Sequence, residues 1–229
     1  MPADSRSRML GAVEVLEPQQ WHARQAAHLQ RVSPWTEPFR ERRSQQLKHP
    51  VDDFLFTYYS HSPGRLERWH PGPGVVLLDA AEMAEQRYWR TVTATEAEAL
   101  GLSADDGPAT VDVAAFLESR GRAVEFVDML VRRTASRAGQ FGCFGMHEWA
   151  MAYNARVHGV RHEQLPLRLG AEGTDAVVQA ERLRCTHIDA FRFFAPEAAP
   201  LNELQPTRET QRDLEQPGCL HATMDLYKW

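Results

Sequence analysis

The apolar positions of this chain fall into short periodic runs rather than one continuous stripe. Trp21, His28, Leu29 and Val32 follow helical spacing, interrupted at Gln25, and Pro18 ahead of them suits a first helical position. Pro34 and Pro38 are expected to break that helix, with a basic second helix continuing to Lys48. His49-Pro50 reads as a boundary, because the residue before a proline avoids the α region. Residues 51–60 (VDDFLFTYYS) are apolar and aromatic on most sides, which predicts burial. Residues 75–78 read as a short strand after the turn signals Pro71-Gly72-Pro73-Gly74.

The clearest helix is predicted over 111–137. Val113, Leu117, Val124, Val127 and Val131 form its stripe, Phe116 and Leu130 lie beside it, and Thr110 is its expected N-cap. Residues 139–145 (GQFGCFG) read as a turn feeding a helix over 146–153. Thr174 is the expected cap of a helix over 175–183. A polar helix begins at Pro206-Thr207 and ends at Pro217-Gly218, ahead of the segment 219–229. The fold expected is a mainly α, single irregular multi-helix domain with a minor β element. It spans 17–229 after a flexible start over 1–16, with an acidic surface loop over 91–108.

Composition narrows the class. The 229 residues are 43% apolar and 25% charged, near the average of a globular protein large enough to bury a core without staples. The longest apolar runs, 113–117 and 149–153, are too short to span a bilayer. The first residues hold no apolar core of a secretory signal. Three cysteines are too few for a disulfide framework and fit a reducing compartment, so a cytoplasmic protein is expected. The net charge is −5. Residues 91–115 hold five acids and no Lys or Arg, whereas 21–48 holds six basic and two acidic residues. Arg24, Arg40, Arg42 and Arg43 of that basic stretch could meet the phosphates of DNA, or form an ordinary solvated face.

Several catalytic signatures are absent: GxGxxG after a strand, GxxxxGK[ST], GxSxG, CxxC and the zinc-deaminase pattern. His147-Glu148-Trp149-Ala150-Met151 begins like HExxH but has Met151 where a second imidazole would grip zinc. What recurs is a local style. Each cysteine stands just before a histidine in aromatic or acidic company: Cys143 with His147 and Glu148, Cys185 with His187 and Asp189, Cys219 with His221 and Asp225. A fourth cluster holds His49, Asp52, Asp53 and His61.

Two chemistries fit. His147, His187 and His221 are candidate ligands of Zn or non-haem Fe, with Glu148 or Asp189 as oxygen donors. If 187–189 is extended, His187 and Asp189 point the same way. Alternatively, carboxylates act on a flat base inside an aromatic pocket and need no cofactor. Trp149, Trp69, Tyr58, Tyr59, Phe191 and Phe194 could stack on the ring, Arg192 could contact it, and Glu148 or Asp189 would place the attacking water. Each aromatic could equally be core. A non-catalytic ligand-binding module is a third possibility, made less favourable by so many paired histidines and carboxylates.

The strings HPVDDFLFTYYSHSPGRLERWHPG (from His49), FGCFGMHEWAMAY (from Phe141), LPLRLG with GTDAVV, RCTHIDAFRFFAP (from Arg184) and QPTRETQ through EQPGCLHATMDLYKW carry a resemblance. They resemble an actinobacterial family usually labelled 3-methyladenine DNA glycosylase, over roughly residues 49–229 and a weaker WHAR helix. The chain lacks the LPGVG-type hairpin turn of the large alkylation-repair superfamily. The resemblance implies a hydrolase in DNA repair that cleaves the N-glycosidic bond of alkylated purines. The resemblance carries over no catalytic residue; by their own local chemistry Glu148, His147, Asp189, His187 and Asp225 are the candidate catalytic groups. Members of the family continue past the equivalent of residues 225–229, so a shortened member lacking a C-terminal helical segment is expected.

Overall fold

The structure, a computed structural model, describes residues 13–59, 61–160 and 165–229. The chain is mainly α-helical with one small sheet. It divides into two compact units, residues 1–121 and 122–229. No described helix is long and apolar enough to cross a membrane.

The first unit is organised by the run Val75-Val76-Leu77-Leu78. An apolar stretch with no polar alternation satisfies a strand only if both faces are covered. Strand β1 (Glu14–Leu16) pairs parallel with β2 (Val75–Leu77). β2 pairs antiparallel with β4 (Ala109–Val111), and β3 (Trp89–Thr91) closes the other edge, giving the order β1-β2-β4-β3. Successive residues of β2 point to opposite faces. Val75 and Leu77 join Leu16, Trp21, Ala80 and Ala109 on one side, while Val76 and Leu78 join Val92 and Ala97 on the other.

Several expectations need correction here. Residues 14–16 of the expected flexible start form β1, with Leu16 buried; residues 1–12 lie outside the described residues. Helix α1 (Pro18–Ser44) runs unbroken through Pro34 and Pro38. Its anchors outweigh the lost hydrogen bonds: Trp21 is buried and donates from its indole to the Leu78 carbonyl at 3.0 Å, and Phe39 stacks on Phe56 at 4.4 Å. Of the stretch 51–60, residues 51–59 are described and are not a buried block. They hold the short helix α2 (Phe54–Tyr58), with Val51 and Tyr58 exposed and with Asp53 and Tyr59 buried. A further short helix, α3 (Pro63–Leu66), follows.

The acidic stretch is not a simple loop either. Thr93 and Glu96 form a capping box, a Thr-x-x-Glu signal, that starts α4 (Ala94–Leu100). Glu96 also takes both guanidinium nitrogens of Arg90 at 2.7 Å, which hold its carboxyl down at about 2. Thr110 lies in β4 and donates to the Val75 carbonyl. The cap of α5 (Val113–Ala135) is Asp112, which accepts from the Ala115 N–H at 2.9 Å. The valine stripe of α5 is largely exposed and Leu130 is its buried residue, since periodicity announces an apolar face without saying what covers it.

In the second unit, α6 (Met146–Met151), α7 (Ala155–His158), α8 (Gly170–Ala180), α9 (Ile188–Phe191), α10 (Gln211–Leu214) and α11 (Leu220–Lys228) surround a core rich in small residues. Ala150, Ala190, Ala195 and Ala198 let short helices approach closely around Tyr153, Val178, Leu183 and Phe194. Thr174 sits inside α8, where its hydroxyl donates to the Gly170 carbonyl at 2.7 Å; it is not a cap.

Because Leu77 is fully buried between both faces of the first unit, Leu77→Ala should cost about 2–5 kcal/mol of stability. Urea denaturation followed by circular dichroism measures this. An unchanged midpoint would mean that the sheet is not a core.

Candidate functional site

Two side-chain amides build the frame of the site by imitating strand partners. Gln216 accepts from the Gln140 N–H at 2.7 Å and donates to the Gln140 carbonyl at 3.1 Å. This ties the loop that carries Cys143 to the segment leading into α11. Gly218 is needed at that crossing, because a Cβ there would lie 2.8 Å from the Gln140 carbonyl oxygen. Asn202 does the same for Cys185, accepting from its N–H at 2.7 Å and donating to its carbonyl at 3.0 Å. The segment so held delivers His187 as the residue capping α9.

These frames bring the three cysteine–histidine clusters together. His147 on α6 and His221 on α11 have ring centroids 4.6 Å apart, and His187 and His221 are 5.5 Å apart. His187 is fully buried. Its Nε2 lies 3.1 Å from Oδ2 of Asp225 and 3.2 Å from Oε1 of Glu215. Glu215 and Asp225 are 2% and 6% exposed. Glu215 also accepts from the Gln211 amide at 2.6 Å. Nδ1 of His187 and Nδ1 of His221 are buried without a hydrogen-bond partner. His147 holds Sγ of Cys143 at 2.9 Å from its Nδ1 and the carboxylate of Glu148 at 3.2 Å from its Nε2.

Two sets of donors therefore converge within coordination range. His187, Glu215 and Asp225 form one, and His147, Glu148 and His221 the other; within each, ligand atoms lie within 4.8 Å of one another. Electrostatics couples them. Burial opposes the charge on His187, but Asp225 and Glu215 outweigh it and raise its pKa to about 9. Burial likewise opposes charge on His147, while Cys143 and Glu148 raise it to about 9. His221 is pushed down to about 4 by burial and by the two neighbouring imidazoles. Burial raises the Cys185 thiol to about 12, whereas the Cys143 thiol is lowered because His147 outweighs its desolvation.

Asp189 belongs elsewhere. Residues 187–189 are not extended, because Ile188 starts α9, so Asp189 does not point with His187. It is buried against three cations: Arg208 at 2.5 Å, Lys228 at 2.8 Å and Arg192 at 3.1 Å. Burial raises its pKa, but Lys228 and Arg208 prevail and hold the carboxyl at about 2.

Trp149 and Phe191 are partly buried against the core of the second unit, and Phe194 is within it. Glu148 and Trp149 also line a cavity of about 200 Å³ with Leu167 and Arg168. Tyr58, Tyr59, Trp69 and the His49 cluster lie in the first unit, where Trp69 packs against the sheet core and Asp53 binds Arg42 at 2.6 Å. Arg24 and Arg40 are paired as well, with Glu14 at 2.5 Å and Glu67 at 2.6 Å, and Arg43 is exposed. Sequence reasoning missed Glu215 and Gln216. The available signal was their place in the string EQPGC directly before the Cys219–His221 cluster.

No protein-family model matches the chain, and no curated protein or solved structure matches it either.

Asp189 offers a pH test. Its native pKa of about 2 lies below its ordinary 3.8, so its stabilisation is present above pH 4 and is lost as the pH falls towards 2. Asp189→Asn should therefore lower stability by about 2 kcal/mol at pH 7, with the gap to the parent protein closing below pH 4. Denaturant titrations across pH 7 to 3 would show it. A gap independent of pH would assign the effect to packing alone.

Proposed function

We propose that the second unit is a metal-dependent enzyme acting on a small molecule. His187, Glu215 and Asp225 would hold the ion, with His147, Glu148 and His221 beside it. The observation that carries this reading is the pair of almost fully buried carboxylates on one imidazole nitrogen. Two carboxylates against one imidazolium leave a formal charge of −1 even with His187 protonated. An uncompensated buried charge costs several kcal/mol, and a divalent cation would offset it.

The geometry is compatible with coordination. Ligand atoms about 2.1 Å from an ion lie roughly 3.0–3.4 Å from one another, and the separations at His187 are 3.1 and 3.2 Å. Imidazole and carboxylate donors suit Zn or non-haem Fe. His221, of the adjacent donor set, has its ring 5.5 Å from that of His187 and a buried Nδ1 without a hydrogen-bond partner. An ion there would act as a Lewis acid on a carbonyl or phosphoryl oxygen. Glu148 and His147 form a pair able to accept and relay a proton, with Cys143 fixing the ring through its other nitrogen.

Protein loaded with Zn or Fe and dialysed should retain about one divalent ion per chain by elemental analysis. His187→Ala and Asp225→Asn should each weaken retention at least 10–100-fold, while His49→Ala, in the first unit, should not. Folded protein that retains no ion, or retains it equally with His187→Ala, would sink the proposal.

A second reading, hydrolysis of alkylated purines from DNA, draws on one observation: Glu148 and Trp149 share a cavity, placing a carboxylate beside a ring that can stack on a base. It expects release of free base from alkylated DNA, lost in Glu148→Gln. A folded protein that releases no base would remove it.

A further inference from the structure

Beside the buried carboxylates lies a pocket of about 170 Å³, open on one side to solvent. Leu130 and Val131 of α5 form one wall, and Ala222, Leu226 and Trp229 another. An apolar cavity of about 150 Å³ is enough to take a benzene ring. The lining is not uniformly apolar. Glu215 and Asp225, the carboxylates on His187, reach it, and so does Thr134, whose hydroxyl is buried without a hydrogen-bond partner. A buried hydroxyl left unpaired costs about 1–3 kcal/mol. A ligand that brings a hydrogen-bonding head to this end of the cavity would recover that cost.

We propose that this cavity is the substrate pocket of the His187–Glu215–Asp225 centre, and that it takes a single-ring molecule bearing a hydroxyl head. The ring fills the space between α5 and α11. The hydroxyl is directed at Glu215 and Asp225 and within reach of Thr134. This rests on the metal reading for its chemistry and adds the class of substrate to it. One six-membered ring fits within this volume, with the open side of the pocket towards solvent. Ala135, at the end of α5, also lines it, so enlarging either Ala135 or Ala222 fills the same space from a different helix.

Ligand-observed NMR with benzyl alcohol, and with toluene as the headless control, tests this on the full chain loaded with Zn. Benzyl alcohol should bind at one site, at least fivefold tighter than toluene. Ala135→Leu and Ala222→Leu should each weaken it more than tenfold while zinc content, measured on the same samples, stays unchanged. Thr134→Val, which keeps the shape, should lower benzyl alcohol affinity and leave toluene unaffected, so the proposal stays testable if a cavity-filling variant fails to fold. Benzyl alcohol that fails to bind zinc-loaded protein, or binds Ala135→Leu and Thr134→Val as well as the parent, overturns the pocket and leaves the metal centre standing. Benzyl alcohol that binds as expected to a chain that retains no zinc supports the pocket and overturns the metal reading instead.

Discussion

The second unit depends on how it accommodates two carboxylates almost out of reach of water. Glu215 and Asp225 meet at one nitrogen of a fully buried histidine, and one imidazolium cannot neutralise both. In an unfolded chain each carboxylate is hydrated and costs nothing. In the fold the surroundings must replace that water. Gln211 does so in part by donating to Glu215, and Arg208 reaches the other end of the same Gln211 amide at 3.3 Å. A chain of polar contacts thus runs from Arg208 to Asp225, and the excess negative charge stays at its centre.

The neighbouring Asp189 shows the opposite solution. There one buried carboxylate faces three cations, so the excess charge is positive and lies towards solvent. Helix α11 serves both arrangements. His221, Asp225 and Lys228, spaced four and three residues apart, share one helical face. A single helix therefore sets the position of the anionic centre and of the cationic cluster beside it. The amide clamp at Gln140 ties the Cys143 loop to the segment leading into α11, and the clamp at Cys185 ties the His187 segment to Asn202, so the site is held by side-chain amides and not by long regular elements.

The first unit obeys a simpler constraint. A four-residue apolar run needs cover on both faces; Trp21 of α1 packs on one and Ala97 of α4 on the other, while β1 and β4 pair with its two edges. Three arginines of α1 are engaged in ion pairs within the unit: Arg24 with Glu14, Arg40 with Glu67, Arg42 with Asp53. Any phosphate approaching these arginines would compete with carboxylates already in place.

The mainly helical class, the short strand at 75–77, the helix after GQFGCFG and the three cysteine–histidine clusters were all legible in the sequence, because each depends on neighbours within a few residues. Local signals failed where long-range packing decided the outcome. Pro34 and Pro38 did not break α1, since its residues Trp21 and Phe39 are anchored by Leu78 and Phe56 elsewhere in the unit. The valine stripe of α5 did not mark its buried side. Asp189, two residues from His187, was drawn to cations distant in sequence, while Glu215, 28 positions from His187, became the partner of that histidine. Residue types and spacing determined which side chains could bind a cation or move a proton. Only the tertiary structure decided which of them share a site, because a contact between distant segments is set by the packing of the whole unit and leaves no periodic trace in the chain.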